Sequence, residues 1–175
     1  MQKKQKVDLV IAIFLSLIGI SLTLLPNFKI LDLETILFVV MMCYATLNLI
    51  QFVLTKESKD YEGLYTSILS YGIGVAGLYF NLFNGKIEMV TIILGWIILM
   101  SMIKFKKCDY YHDLNNRMWI IRIVTLLLFI VTGLLASINL YYSNDVQILI
   151  LGFFFFIHGI LEMIDPLAIY LMENR

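Results

Sequence analysis

The sequence predicts an all-α, polytopic membrane protein whose six transmembrane helices form a single domain, residues 1–175, and three observations support this fold class. Hydrophobic residues make up 61% of the chain and charged residues 15%, against roughly 45–50% and about 25% in soluble domains. Six apolar runs are separated by short polar breaks, and lysine and arginine are concentrated in alternate breaks. A soluble domain of this length cannot bury so much apolar surface, so the lipid bilayer is the expected partner.

Each apolar run is long enough to cross a bilayer, which takes about 20 mostly apolar residues. Backbone amides in lipid must be paired within the segment, so the runs are predicted to be helices. The predicted spans are about 7–25, 36–54, 64–83, 87–103, 118–138 and 146–164. Beyond Asp165-Pro166, the apolar tail Leu167–Met172 is expected either to continue the sixth helix or to lie along the membrane interface.

The orientation follows from the positive charges. With the N-terminus inside, eleven lysines and arginines fall on the inner side and only Lys29 and Lys86 on the outer side. This excess predicts a multi-pass membrane protein with both termini in the cytoplasm. The basic start and the length of the first run predict a retained signal-anchor rather than a cleaved signal peptide.

Composition and motifs argue against several functions. The formal net charge of zero gives no basic field for nucleic acid. Cys43 and Cys108 lack metal-ligand spacing and are predicted to be free thiols. No nucleophile elbow, HExxH or phosphate-binding glycine loop is present, so we predict no enzyme and no catalytic, cofactor-binding or metal residue. Asp109, His112 and Asp113 are interpreted as a solvated loop.

Glycines recur at regular spacing and predict an internal repeat. The odd-numbered spans carry glycines about 57 residues apart, and related positions in the even-numbered spans keep this spacing; the positions are Gly19, Gly77 and Gly133, and Phe38, Gly95 and Gly152. A period of this length indicates three parallel helical hairpins, at about 7–54, 64–105 and 118–164. Small residues such as Ala12, Ser16 and these glycines are expected where helices approach closely.

The hairpins resemble those of the HdeD family, small bacterial membrane proteins built from a short repeat. The similarity rests on IGISLTLLPN at 18–27, LGWIILMS at 94–101, VTGLLASINL at 131–140 and LGFFFFIHGILEMI at 151–164. The resemblance implies a six-helix plasma-membrane protein with a part in acid or envelope stress. It implies no catalytic residues.

Four ionisable residues fall inside predicted spans and form a candidate polar cluster: Asp8, Arg122, His158 and Glu162. Charges in lipid are costly enough that each is a functional candidate. Arg122 and Glu162 reach similar depths in neighbouring helices, which predicts an ion pair between them. His158, one turn from Glu162, is a candidate proton relay, and Tyr65 is expected to converge with Asp8 and Arg122.

Two roles remain open for this cluster. It either neutralises charge and fixes helix register, or it binds protons or anions. Asn48 and Gln51 are predicted to make hydrogen bonds between helices. The function hypotheses are accordingly a non-enzymatic, HdeD-like protein with a structural or stress-protective role, or a small transporter or channel using Arg122, Glu162 and His158. A homo-oligomer and an ion or small-molecule ligand are the partner hypotheses that remain.

Overall fold

The computed structural model describes residues 3–24, 33–55, 61–83, 85–114, 117–142 and 146–173, and within these ranges the chain forms six α-helices. The helices are α1 (Lys3–Leu24), α2 (Leu33–Thr55), α3 (Glu62–Tyr79), α4 (Lys86–Asp113), α5 (Met118–Tyr142) and α6 (Gln147–Glu173). Within the described residues, five of them are long and apolar enough to cross a membrane. Helix α3, of 18 residues, is not among them, so five of the six predicted spans are supported. The predicted all-helical, six-helix architecture is therefore confirmed.

The helices pack as a closed ring in which each contacts its neighbours in the chain and α6 returns to α1. The most extensive packing joins α1 to α6, followed by α2 with α3 and α4 with α5. The interior is filled by apolar and aromatic side chains, of which Leu37, Trp96, Phe129, Leu140 and Phe154 are almost completely buried. In the described part of the chain, these side chains pack the centre of the ring.

The outside of the ring is apolar on all six helices. The following residues are each more than half exposed: Val10 and Leu17 on α1, Ile68 on α3, Leu127 on α5 and Phe153 on α6. Large exposed apolar surfaces are rare on soluble monomers. These faces suit contact with lipid hydrocarbon.

The α1/α6 contact depends on small residues. A Cβ atom added to Gly19 would lie only 2.5 Å from Phe156 Cα and 2.6 Å from the Gly152 carbonyl oxygen, both on α6. Nearer the start of α1, Ala12 and Ser16 lie against Gly159 in the same way. Residue numbers rise along α1 as they fall along α6, so the two helices are antiparallel. The predicted close approach at Gly19, Ala12 and Ser16 is confirmed.

Gly77 does not follow this pattern. The nearest atoms to a Cβ there belong to the ring of Phe83, in the turn that follows the same helix, rather than to a second helix. The turn is a Schellman cap: Leu82 N–H donates to the Gly77 carbonyl at 2.9 Å and Asn81 N–H to the Leu78 carbonyl at 3.3 Å. Asn81 has a φ of 57°, the left-handed conformation that such caps require. The sequence predicted a helix to residue 83, but α3 ends at Tyr79 because of this cap. The cap also folds Phe83 back over Gly77.

Two helices continue beyond their predicted spans. Helix α4 runs to Asp113 rather than ending near 103, so Cys108 lies in a helix and is buried, not in a loop. Both cysteines are free thiols, as predicted. Helix α6 continues through Pro166 to Glu173, which confirms the first of the two alternatives for the tail. These extensions bring additional charged residues to the end of the bundle.

Candidate functional site: a charged cavity between the six helices

A polar cavity of about 30 Å³ lies between the helices, and all six contribute to its wall. Its charged lining residues are Asp8, Glu62, Lys104, Lys107, Arg122, Glu162 and Asp165, and its uncharged polar ones include Tyr44, Asn48, Gln51 and Thr66. Ile11, Met100 and Pro166 are among the apolar residues of the wall. Three of the four predicted cluster residues, Asp8, Arg122 and Glu162, therefore meet at one cavity.

Ion pairs cross the cavity between helices. Arg122 Nη2 on α5 lies 2.9 Å from Asp165 Oδ2 on α6, and the two side chains are 7% and 22% exposed. Lys104 on α4 pairs with Glu162 on α6. Lys107, one turn further along α4, pairs with Glu62 on α3. The pairs connect four helices through charge, in addition to their apolar contacts.

The predicted Arg122–Glu162 ion pair is wrong, because each residue has a different partner. Helical side chains lean towards the N-terminus of their own helix. The Arg122 side chain therefore reaches towards the start of α5, where the antiparallel α6 has advanced to Asp165. Lys104 leans back along α4 and reaches Glu162 instead. Arg122 is also held by the Tyr111 ring, whose centroid lies 4.7 Å from Cζ.

Asp8 accepts a hydrogen bond from Gln51 Nε2, which joins α1 to α2. This bond confirms the interhelical role predicted for Gln51. Asn48 differs from the prediction, since its side-chain amide donates to the Tyr44 carbonyl one turn earlier in the same helix, at 2.8 Å. Tyr65 is half exposed and is not part of the cavity wall, so its predicted convergence with Asp8 and Arg122 is also wrong.

His158, the fourth predicted residue, lies beside the cavity rather than in its wall. Its Nε2 is 3.7 Å from Glu162 Oε1, and only 1% of the residue is exposed. Aromatic rings from four helices surround it: the centroid distances to Phe129, Trp96, Tyr44 and Phe154 are 4.8, 5.9, 6.0 and 6.1 Å. Glu162 and Tyr44 both line the cavity, so they connect it to the surroundings of His158.

Four ionisable cavity residues were missed by sequence reasoning: Glu62, Lys104, Lys107 and Asp165. All four lie at the edges of predicted spans and were assigned to polar loops or breaks. A usable signal existed in α4, where the buried positions 89, 93, 96, 97 and 100 continue at the same helical spacing through 104, 107 and 108. Following that period would have extended the helix and placed both lysines on its inner face.

The remaining candidate groups lie elsewhere. Asp109, His112 and Asp113 are exposed at the end of α4, so this cluster is solvated as expected but helical rather than a loop. Within the described part of the chain, no group of three or more histidine, cysteine, aspartate or glutamate residues is arranged to hold a metal ion. The cavity is therefore the site on which functional inference rests.

Comparison of the chain with protein-family models, with curated proteins and with solved structures gives no match.

Proposed function

We propose that the protein is a small, non-enzymatic membrane transporter or channel whose solute site is the charged cavity. The observation that carries this proposal is the concentration of seven ionisable side chains from all six helices around one small cavity. One ion pair is enough to fix the register of two helices. Because each charge buried in a membrane bundle is costly, intramembrane clusters of this size are typical of ion and solute pathways.

Transport is tested in liposomes reconstituted with the purified full-length chain. We expect the flux of at least one small ion (proton, Na⁺, K⁺ or Cl⁻) to exceed that of empty liposomes. Replacing Asp165 with asparagine should reduce this flux at least severalfold, because it removes the partner of Arg122 in the cavity wall. Arg117→Gln is the matched control, since Arg117 is exposed outside the cavity. Flux no greater than that of empty liposomes for all four ions contradicts the proposal.

A structural, stress-protective role of the HdeD type is the second candidate, and the ion pairs favour it. Arg122–Asp165, Lys104–Glu162 and Lys107–Glu62 each place opposite charges together, as a bundle stabilised by charge neutralisation requires. In a bacterial host challenged with acid, expression of the chain should then raise survival. The Arg122→Gln, Asp165→Asn double variant should protect equally well, because it removes both charges together. Loss of protection in a stable double variant contradicts a purely structural role.

We further propose that the chain lies in the bacterial plasma membrane with both termini in the cytoplasm. The support is the excess of lysine and arginine on one side. Cys108 is buried, so its reactivity does not report orientation. Lys86 and Lys106 are exposed at opposite ends of α4 and provide a matched pair of positions.

In a variant lacking both native cysteines, Lys86→Cys should react with a membrane-impermeant maleimide in intact cells. Lys106→Cys should react only after the cells are permeabilised, because the positive-inside distribution places this end of α4 in the cytoplasm. Labelling is measured by the mass shift of the purified protein. The opposite result would reverse the topology.

The threefold repeat also stands as a proposal. It is supported by the way in which the helices pack in pairs. Around the ring, extensive contacts alternate with smaller ones, and the extensive contacts are those of α2 with α3, α4 with α5 and α6 with α1. Each of these pairs follows the previous one by two helices, as a repeat of two-helix units requires. Gly133 packs against the neighbouring α4, where a Cβ atom added to Gly133 would lie 2.8 Å from Ile97 Cδ1. This contact resembles that of Gly19 with α6. Gly77, which faces Phe83, is the departure from this symmetry.

A further inference from the structure

The size of the cavity limits what it can hold. One water molecule needs a cavity volume of roughly 10–15 Å³. The cavity, at about 30 Å³, therefore admits one or two water molecules. Amino acids, sugars and other organic solutes are far larger. The species that fit are water, a hydrated proton and single small ions.

Buried polar atoms at the cavity are arranged for water. Arg122 Nε, a donor, and Asp165 Oδ1, an acceptor, are buried and make no hydrogen bond within the described part of the protein. Their partner atoms Nη2 and Oδ2 are engaged with each other. Buried polar groups are almost always satisfied, by ordered water where protein groups are lacking. Both residues line the cavity, so water there would meet a donor and an acceptor.

His158 provides a proton acceptor beside the cavity. Both of its ring nitrogens are buried without a hydrogen bond in the described structure. A neutral imidazole carries one N–H donor and one lone pair, so one nitrogen is ready to accept a proton. The nearest carboxylate is that of Glu162, 3.7 Å from Nε2, and Glu162 also lines the cavity. An imidazolium at this position would be stabilised by that carboxylate and by the faces of the surrounding rings.

The titratable groups nearest to His158 lie on three helices. Lys104 on α4 and Glu162 on α6 are the charged ones, and the ring of Tyr44 on α2 lies 6.0 Å away. Phe129, which α5 places against His158, is not titratable. The other charged groups of the cavity are Asp8 on α1, Glu62 on α3, Lys107 on α4, Arg122 on α5 and Asp165 on α6. Glu162 carries a negative charge and Lys104 a positive one, so the two residues place opposite charges near His158.

We propose that the ligand of this cavity is the proton, and that His158 receives it from water in the cavity beside the Glu162 carboxylate. A hydrated proton is transferred to the lone pair of a His158 ring nitrogen, which gives an imidazolium beside the Glu162 carboxylate and leaves neutral water. The reverse transfer regenerates the imidazole. This inference rests on the proposed transport function and specifies its substrate class.

The protonation of His158 is measured by nuclear magnetic resonance of the full-length protein in nanodiscs with isotope-labelled histidine. The chain has two histidines, so His112→Asn assigns both signals. The His158 signal should change between imidazole and imidazolium as the pH is lowered. Glu162→Gln should move the midpoint of this change to lower pH by about one to three pH units, and Lys104→Met should move it to higher pH. A His158 signal that does not respond to pH, or that ignores both substitutions, overturns the proposal.

Proton flux provides the second measurement. Liposomes containing the protein and a trapped pH-sensitive dye should acidify faster than empty liposomes after an external acid pulse. His158→Gln should reduce the rate at least severalfold, while His112→Gln should leave it unchanged, since His112 is exposed outside the cavity. Transport of Na⁺, K⁺ or Cl⁻ without protons overturns the proton assignment but leaves the transport proposal standing. No flux of any ion overturns both.

Discussion

Replacing Arg122 with glutamine is expected to lower the free energy of unfolding by about 3–5 kcal/mol, because it leaves Asp165 charged and without its cation in the interior of the bundle. Arg122 is 7% exposed and Asp165 22%, so water screens the stranded carboxylate little. Asp165→Asn should destabilise comparably, since it strands the guanidinium. The measurement is unfolding by sodium dodecyl sulfate in mixed micelles.

The double variant Arg122→Gln, Asp165→Asn separates the cost of a stranded charge from the value of the pair. It should recover much of the stability that either single variant loses, because no unpaired charge remains. Arg117→Gln, at an exposed position just before α5, should change stability by no more than about 0.5 kcal/mol. If Arg122→Gln were as mild as this control, the ion pair would not be a structural element of the bundle.

Replacing Gly19 with alanine is expected to cause the second large loss in the free energy of unfolding. The new methyl group would lie 2.5 Å from Phe156 Cα and 2.6 Å from the Gly152 carbonyl oxygen, and backbone atoms cannot move aside without separating α1 from α6. Overpacking of this kind typically costs about 1–3 kcal/mol. The same unfolding titration should show the loss.

Gly95→Ala is the matched control, because no atom lies within 4 Å of a Cβ at that position. Glycine in a helix interior is less favourable than alanine, so this substitution should leave stability unchanged or raise it by about 0.4–1 kcal/mol. Opposite signs at the two glycines are therefore expected. A gain in stability at Gly19 would mean that α1 and α6 are further apart than the structure has them.

Much of the fold could be predicted because the signals are local. Apolar runs of sufficient length specify helices once lipid is the solvent, and polar breaks separate them. The errors fall at helix ends, where hydropathy does not decide the structure. Helix α3 ends early because Asn81 takes the cap conformation, whereas α4 continues past its apolar span because Lys104 and Lys107 have acidic partners inside the bundle.

The candidate site was only partly predictable. Asp8, Arg122, His158 and Glu162 stand out in the sequence because an ionisable residue is unusual in an apolar run, and the structure brings three of them to one cavity and the fourth beside it. Glu62 and Asp165 do not stand out, since they lie at the ends of runs. Their importance depends on which helices become neighbours.

The sequence by itself determined the helical class, the number of helices and the charged positions within them, because these depend on composition over about twenty consecutive residues. The tertiary structure decided which charges pair. Arg122 meets Asp165 rather than Glu162, and Lys104 takes Glu162. Pairing depends on the direction in which each side chain leaves its helix and on the closed packing of α6 against α1, and neither is encoded in any single segment of the chain.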